Sequence, residues 1–153
     1  MTETAGMFIG RGWAFPMGVS PSGGADMVSG DEEIVQAIHL ILGTDPGERP
    51  MRPEFGCAIR DYVFGSGDAS AMGAVSHEVR RALDRWEPRI VVDDVTAARL
   101  PRQPEVLHIE ITYRLCHTNS RRNLVFPFYA IPAHHDTIPF PAISLQRDHD
   151  APA

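Results

Sequence analysis

Three glutamates, Glu48, Glu54 and Glu87, first raise the question of catalysis in this chain. Two carboxyls held roughly 5–10 Å apart across a cleft can cleave a glycosidic bond, provided that one keeps its proton at neutral pH. Each of the three has an arginine close by in sequence: Arg49, Arg52 and Arg89. A nearby guanidinium favours the ionised carboxylate, the wrong direction for a general acid. His134-His135-Asp136 and His149-Asp150 contain metal-binding residue types. They lie in a proline-rich stretch with no ordered framework to fix a coordination geometry, so no metal is expected. His39 and His108 are read as surface residues rather than ligands. Cys57 and Cys116 fit no zinc or redox spacing and are read as free thiols of a chain folded in a reducing cytoplasm. There is no serine or cysteine nucleophile constellation and no glycine-rich phosphate loop. No catalytic, cofactor-binding or metal residue is assigned, no cofactor is expected, and the chain is not expected to be an enzyme.

Two other groupings of charge could act in binding. In Glu87-Pro88-Arg89 the proline stiffens the backbone between opposite charges. The pair can grip a partner, or close a corner as an internal salt bridge, and the two uses are not exclusive. In the stretch from Gly47 to Gly56, Glu48 and Glu54 flank Arg49 and Arg52. It reads as an assembly contact or as a proline-stiffened connector anchored by Met51 and Phe55.

The frame for these residues is one domain of 153 residues, 43% of them hydrophobic, which is enough for a packed core. The net charge is −6 and no basic run exceeds two residues, which argues against nucleic acid as a partner. No apolar run approaches the ~20 residues that span a bilayer, so direct membrane insertion is not expected. The first ten residues do not read as a secretory signal. All 14 basic residues are arginine, so every cation here is a planar fork suited to bidentate carboxylate pairing.

Residues 1–30 form a Gly/Pro-rich N-terminal segment in which long regular structure is not expected. Trp13 and Phe15 are expected to dock on the core or on a partner. Ser29 and Glu32 have capping-box spacing, and Ile34, Ile38, Ile41 and Leu42 follow at helical spacing, predicting a helix over 31–43 with Gly43 at its C-terminal cap. A short helical stretch is expected within 57–64. Asp68 is placed as the cap of a second long helix, with Met72, Val75, Val79, Ala82, Leu83 and Trp86 on its apolar stripe and Glu78, Arg81, Asp84 and Arg85 opposite. Pro88 stops it. Three strands follow, over 90–98, 105–115 and 122–129, with Thr118-Asn119-Ser120 as a turn. The second alternates cleanly, Leu107, Ile109, Ile111, Tyr113 and Leu115 on one face, so one face is apolar. The architecture expected is α+β: a small antiparallel sheet of about three to four strands packed by two main helices. Pro127 marks the last strand as an edge, and an open edge is a template for another chain's strand. Residues 130–153 read as a Pro/His-rich extended tail.

Several of these pieces, in order, resemble the gpW/gp-twenty-five-like family of phage tail baseplate wedge proteins. They are Glu33-Ile34-Val35-Gln36-Ala37-Ile38 through Ile41-Leu42-Gly43-Thr44, then Gly47-Glu48-Arg49-Pro50-Met51-Arg52-Pro53-Glu54-Phe55-Gly56 and Trp86-Glu87-Pro88-Arg89-Ile90. The closing Leu124-Val125-Phe126-Pro127-Phe128 is similar to the family's last strand. The resemblance covers roughly residues 8–130, with residues 31–129 as the wedge domain proper.

The resemblance implies a structural part of a contractile, phage-tail-like injection system. Such a part sits in the baseplate of an assembled particle in the bacterial cytoplasm, in multiple copies, six by resemblance, around the tail tube. Its implied partners are the baseplate wedge proteins and the sheath protein, and it would link the wedge core to the first sheath ring and template sheath assembly. Glu87, Pro88 and Arg89, with Glu48 and Arg49, are the residues expected at the wedge. Asn123, Leu124, Val125, Phe126, Pro127, Phe128 and Tyr129 are expected at the sheath. The alternatives are a peptidoglycan-cleaving tail lysozyme and a regulatory adaptor binding a response-regulator-like protein.

Overall fold

Trp13 and Met27 pair across a short antiparallel ribbon formed by β1 (Arg11–Trp13) and β2 (Met27–Ser29), three residues each, in a segment where no long regular structure was expected. The computed structural model describes residues 10–63 and 69–129. The expectations for Asp68 and for the 130–153 tail lie outside the described residues.

The ribbon runs directly into α1 (Asp31–Gly43). Its N-cap is Gly30, at φ 71, and no side chain caps it, so the Ser29–Glu32 capping box is not formed. Ser29 is held in register with Arg11 as the end of β2, and the chain turns at glycine, which reaches positive φ without steric cost. Asp31, Glu32 and Glu33 fill the first turn and face the positive end of the helix dipole. The far end also differs from expectation. Gly43 is the last helical residue rather than a left-handed cap, and Thr44 leaves in extended conformation. The Thr44 hydroxyl donates to the Leu40 carbonyl at 2.6 Å, so a side chain ends this helix.

After the 44–56 loop come α2 (Ile59–Val63) and α3 (Ala69–Trp86). The predicted stripe of α3 is inward: Val75, Val79, Ala82 and Leu83 are buried, and Met72 and Trp86 pack at its margins. Glu78, expected on the outer face, is buried too. It accepts two bonds from Arg81, at 2.6 and 3.0 Å, and one from the Ala58 N–H at 3.4 Å. That set ties α3 to the residue just before α2, and the Arg81 bonds hold the Glu78 carboxyl below the usual carboxylate range.

β3 (Ile90–Leu100), β4 (Gln103–Leu115) and β5 (Arg121–Tyr129) form an antiparallel meander in the order β3-β4-β5. The fold is α+β as predicted, with three strands in the main sheet and the ribbon apart from it. Leu107, Ile109, Ile111, Tyr113 and Leu115 form the buried face of the central strand. α3 lies against β3, and α1 reaches β5 through two side-chain contacts. There the His39 ring packs on Phe126, 5.1 Å between centroids, and Arg122 bonds Asp31 at 2.9 Å.

Candidate assembly interface

Corner and loop

The Glu87 N–H donates to Leu83 O at 2.9 Å, Pro88 follows, and β3 begins at Ile90. The corner is closed from within. Glu87 is 2% exposed, and its carboxylate takes a fork-to-fork pair from Arg89, 2.6 Å from Nε and 2.7 Å from Nη2. The third guanidinium nitrogen reaches Glu33 on α1 at 2.8 Å. Glu87 is the foremost cause that raises the pKa of Arg89 and keeps it charged. Gly12 of the ribbon lies over Glu33, where a Cβ would come within 3.1 Å of Oε1. The Arg89 side chain keeps 31% of its exposure and that of Glu87 3%, so a partner at this corner meets the arginine and not the buried acid.

The 44–56 loop is built onto the same corner. The Arg49 guanidinium lies 4.5 Å over the Phe55 ring, Phe55 packs on Trp86 at 5.2 Å, and Arg85 covers the other ring at 4.8 Å. Phe55 is an anchor, as expected. Met51 is not, because it stands 94% exposed at the loop's surface. Glu48 accepts the Asp45 N–H at 3.0 Å, within the loop. Gly56 closes the loop at φ 117, where a Cβ would collide with the Thr44 carbonyl. Arg49 is thus joined to the Glu87–Arg89 corner through the Phe55–Trp86 stack, whereas the bond of Glu48 lies within the loop.

The outer edge of β5

Among the described residues β5 is an edge strand, and the hydrogen-bond parity of the sheet shows what its edge offers. The Leu115 N–H donates to Ser120 O at 3.1 Å. The register runs unbroken from there, so Tyr113↔Arg122, Ile111↔Leu124, Ile109↔Phe126 and Leu107↔Phe128 are the hydrogen-bonded pairs. Arg121, Asn123, Val125, Pro127 and Tyr129 therefore turn their backbone groups away from β4. Pro127 sits at an outward position, where its missing N–H costs the sheet nothing. Arg122 Nη1 donates to the Arg121 carbonyl at 3.1 Å, which leaves both backbone groups of Asn123 and Val125 open among the described residues. Val125 is also half exposed, at 51%.

The first turn of α1 links the two regions. Asp31 holds Arg122 of β5 and Glu33 holds Arg89 of the corner. Neither acid stood out in the sequence, where a cluster of three acids at a helix start reads simply as dipole compensation. Trp13 and Phe15 are 67% and 45% exposed, so of the two places expected for them, the core or a partner, the core does not cover them. The two histidines read as surface residues are both half-buried. His39 has its pKa lowered by burial, and His108 Nε2 is buried without a hydrogen-bond partner among the described residues.

Residues 28–120 match the family of the baseplate wedge protein gp25. The chain belongs to that family. It is 33% identical to the baseplate wedge protein gp25 of Enterobacteria phage T4 over 61 residues, 40% of this chain and 46% of the phage protein. The chain therefore aligns with less than half the length of that relative. Among solved structures, a Geobacter sulfurreducens protein provisionally named a tail lysozyme is 46% identical, with a TM-score of 0.62, covering 66% of this chain and 91% of that one. A chain of the anti-feeding prophage baseplate shares the fold at 23% identity, TM-score 0.60, covering 84% of this chain and 91% of that one. The gp25 family is a family of structural baseplate components, and the lysozyme name belongs to the Geobacter protein. In this chain Glu87 is buried against an arginine and Glu54 is exposed.

Proposed function

We propose that this gp25-family chain joins the wedge core to the first sheath ring of a contractile particle and templates the sheath, without catalysing a reaction. The observation that carries the reading is the outer edge of β5, where Asn123 and Val125 present open backbone donors and acceptors on a strand with no register break. An extended arm of the first sheath subunits adds there as a further strand, its backbone bonds supplying affinity whatever its side chains. Arg89 and the Arg49–Phe55 loop form the wedge-facing side, with exposed Met51 as its apolar contact. Because Asp31 and Glu33 lie in one helical turn, a load on the sheath strand passes to the wedge corner through α1. The assembled setting is the baseplate, six copies around the tube, built in the bacterial cytoplasm.

The test is reconstitution of this chain with the sheath and wedge proteins of a contractile particle. Val125→Pro removes an outward N–H and is expected to abolish sheath capture while wedge binding persists. Arg89→Ala is expected to weaken wedge binding. Sheath capture undiminished by Val125→Pro would overturn the reading.

A further inference from the structure

The outer face of α3 is where this acidic chain turns basic. His77, Arg80, Arg81, Asp84 and Arg85 line an open cleft of about 440 Å³. The whole chain carries −6, whereas these five residues set three arginines against one aspartate. They fall in two rows at four-residue spacing, His77-Arg81-Arg85 and Arg80-Asp84, and so share one helix face about 12 Å long. What each charge already holds decides what it can offer. Arg81 is answered by the buried Glu78, at 2.6 and 3.0 Å. Arg80 donates to neutral carbonyls, Val92 O at 3.0 Å and Asp93 O at 2.9 Å, while the Asp93 carboxylate is taken by Arg114. Arg85 lies over the Trp86 ring at 4.8 Å, a contact that holds the guanidinium and leaves its N–H donors unspent. Asp84 is exposed and has no ion pair among the described residues. The cleft therefore offers two guanidiniums without an acid and one carboxylate without a cation. Its Arg85 end is continuous with the loop, because Trp86 stacks on Phe55 and Phe55 lies under Arg49.

We propose that this cleft extends the wedge-facing surface along α3 and receives a mixed-charge segment of a wedge protein. Two carboxylates of that segment go to Arg80 and Arg85, and a lysine or arginine between them goes to Asp84. The inference rests on the wedge reading of the Arg49–Phe55 side and adds the chemistry of the partner. Arginine forks suit carboxylates, which they bind through paired N–H donors. Arg80 and Arg85 are already held in place by carbonyls and by a ring, so little side-chain freedom is lost when the carboxylates arrive. Asp84 is what sets this partner apart from a polyanion. A phosphate chain lying along α3 would meet that carboxylate at the centre of the cleft and the −6 of the chain around it. A protein segment of both signs meets a partner at each position. The face is exposed, so the pairs contribute more to selectivity and to the orientation of docking than to raw affinity.

The experiment titrates the full chain against the wedge proteins of a contractile particle by calorimetry, with sheath capture followed alongside. Arg85→Glu reverses one charge and is expected to weaken wedge binding about tenfold while sheath capture is unchanged. Asp84→Asn removes the opposite charge and is expected to weaken it about threefold. Wild-type affinity is expected to fall as salt rises from about 50 to about 300 mM, and less steeply in both variants. Circular dichroism checks that each variant is folded; should Arg85→Glu not fold, Arg85→Gln carries the same test at a smaller amplitude. Folded variants that bind the wedge proteins as tightly as the wild type overturn the cleft and leave the Arg89 side of the wedge reading standing. A wild type that binds no wedge protein overturns that reading and the cleft with it. A polyanion gives the opposite sign at Asp84. Binding of a duplex DNA probe that tightens with Asp84→Asn and is lost with Arg85→Glu, while wedge binding does not move, overturns the mixed-charge partner.

Discussion

The Glu87–Arg89 corner and the outer edge of β5 are joined to the same turn of α1, yet they hold opposite kinds of chemistry. At the corner every oxygen of Glu87 is occupied by Arg89 and the acid is buried. At β5 the open groups are backbone ones, on a strand whose inward face is anchored by Leu124 and Phe126. The corner contributes to the fold, and a partner reaches it only through what remains of Arg89. The edge contributes little to the fold beyond its inner face, and among the described residues nothing bonds the outward groups of Asn123 and Val125. A charged motif can thus be prominent and already saturated, while the backbone groups left open among the described residues are announced only by a proline on the same strand.

The contrast is broken most severely at the corner. Glu87→Ala leaves Arg89 part-buried without its fork-to-fork partner, and loss of one member of a buried pair costs about 3 kcal/mol. Urea unfolding should show that drop, and a loss below about 1 kcal/mol would mean that the corner is a surface ion pair in effect. Gly56→Ala comes next. It forces a side chain into a positive-φ position against the Thr44 carbonyl, and a drop of about 2 kcal/mol is expected in the same assay. Val125→Pro lies on the other side of the comparison. No ladder bond is lost, so stability should change by less than about 1 kcal/mol while sheath capture disappears. A large destabilisation there would show that the Val125 N–H has an inward partner and that the parity assignment is wrong.

How much of this was legible beforehand depends on which interaction sets each feature. The α3 stripe and the alternation of β4 follow from one-dimensional periodicity, and both emerged as read. Pro127 marked an edge because a missing N–H is a property of the residue itself. The capping box failed because Ser29 was claimed by a ribbon partner, Arg11, eighteen positions away. Glu78 was misplaced because its burial is set by the segment leading into α2, which no helical wheel contains. Met51 was misassigned as an anchor because hydrophobicity alone cannot say that a loop already held by Phe55 leaves it outside. Arg80 gave no signal at all, since its two bonds go to carbonyls at a bulge in a strand that begins ten residues later.

The smallest effect concerns how firmly β5 is backed. His39 packs its ring on Phe126, and burial lowers its pKa from the ordinary 6.5. The unfolded chain then binds a proton at this residue more readily than the folded one. Its contribution is fully present above pH 6.5 and is lost as the pH falls through the lowered value. Replacing His39 by leucine keeps an apolar group against Phe126 and removes the titration. The variant should therefore lose less thermal stability than the wild type between pH 7 and pH 5, with the two alike at pH 7 and above. Equal slopes on acidification would mean that the ring reaches solvent when it charges, and that the inner support of the β5 edge is looser than its packing implies. Carboxylates held by arginine, Glu78 and Asp93 among them, titrate in both chains on the same acid side and cancel in the comparison.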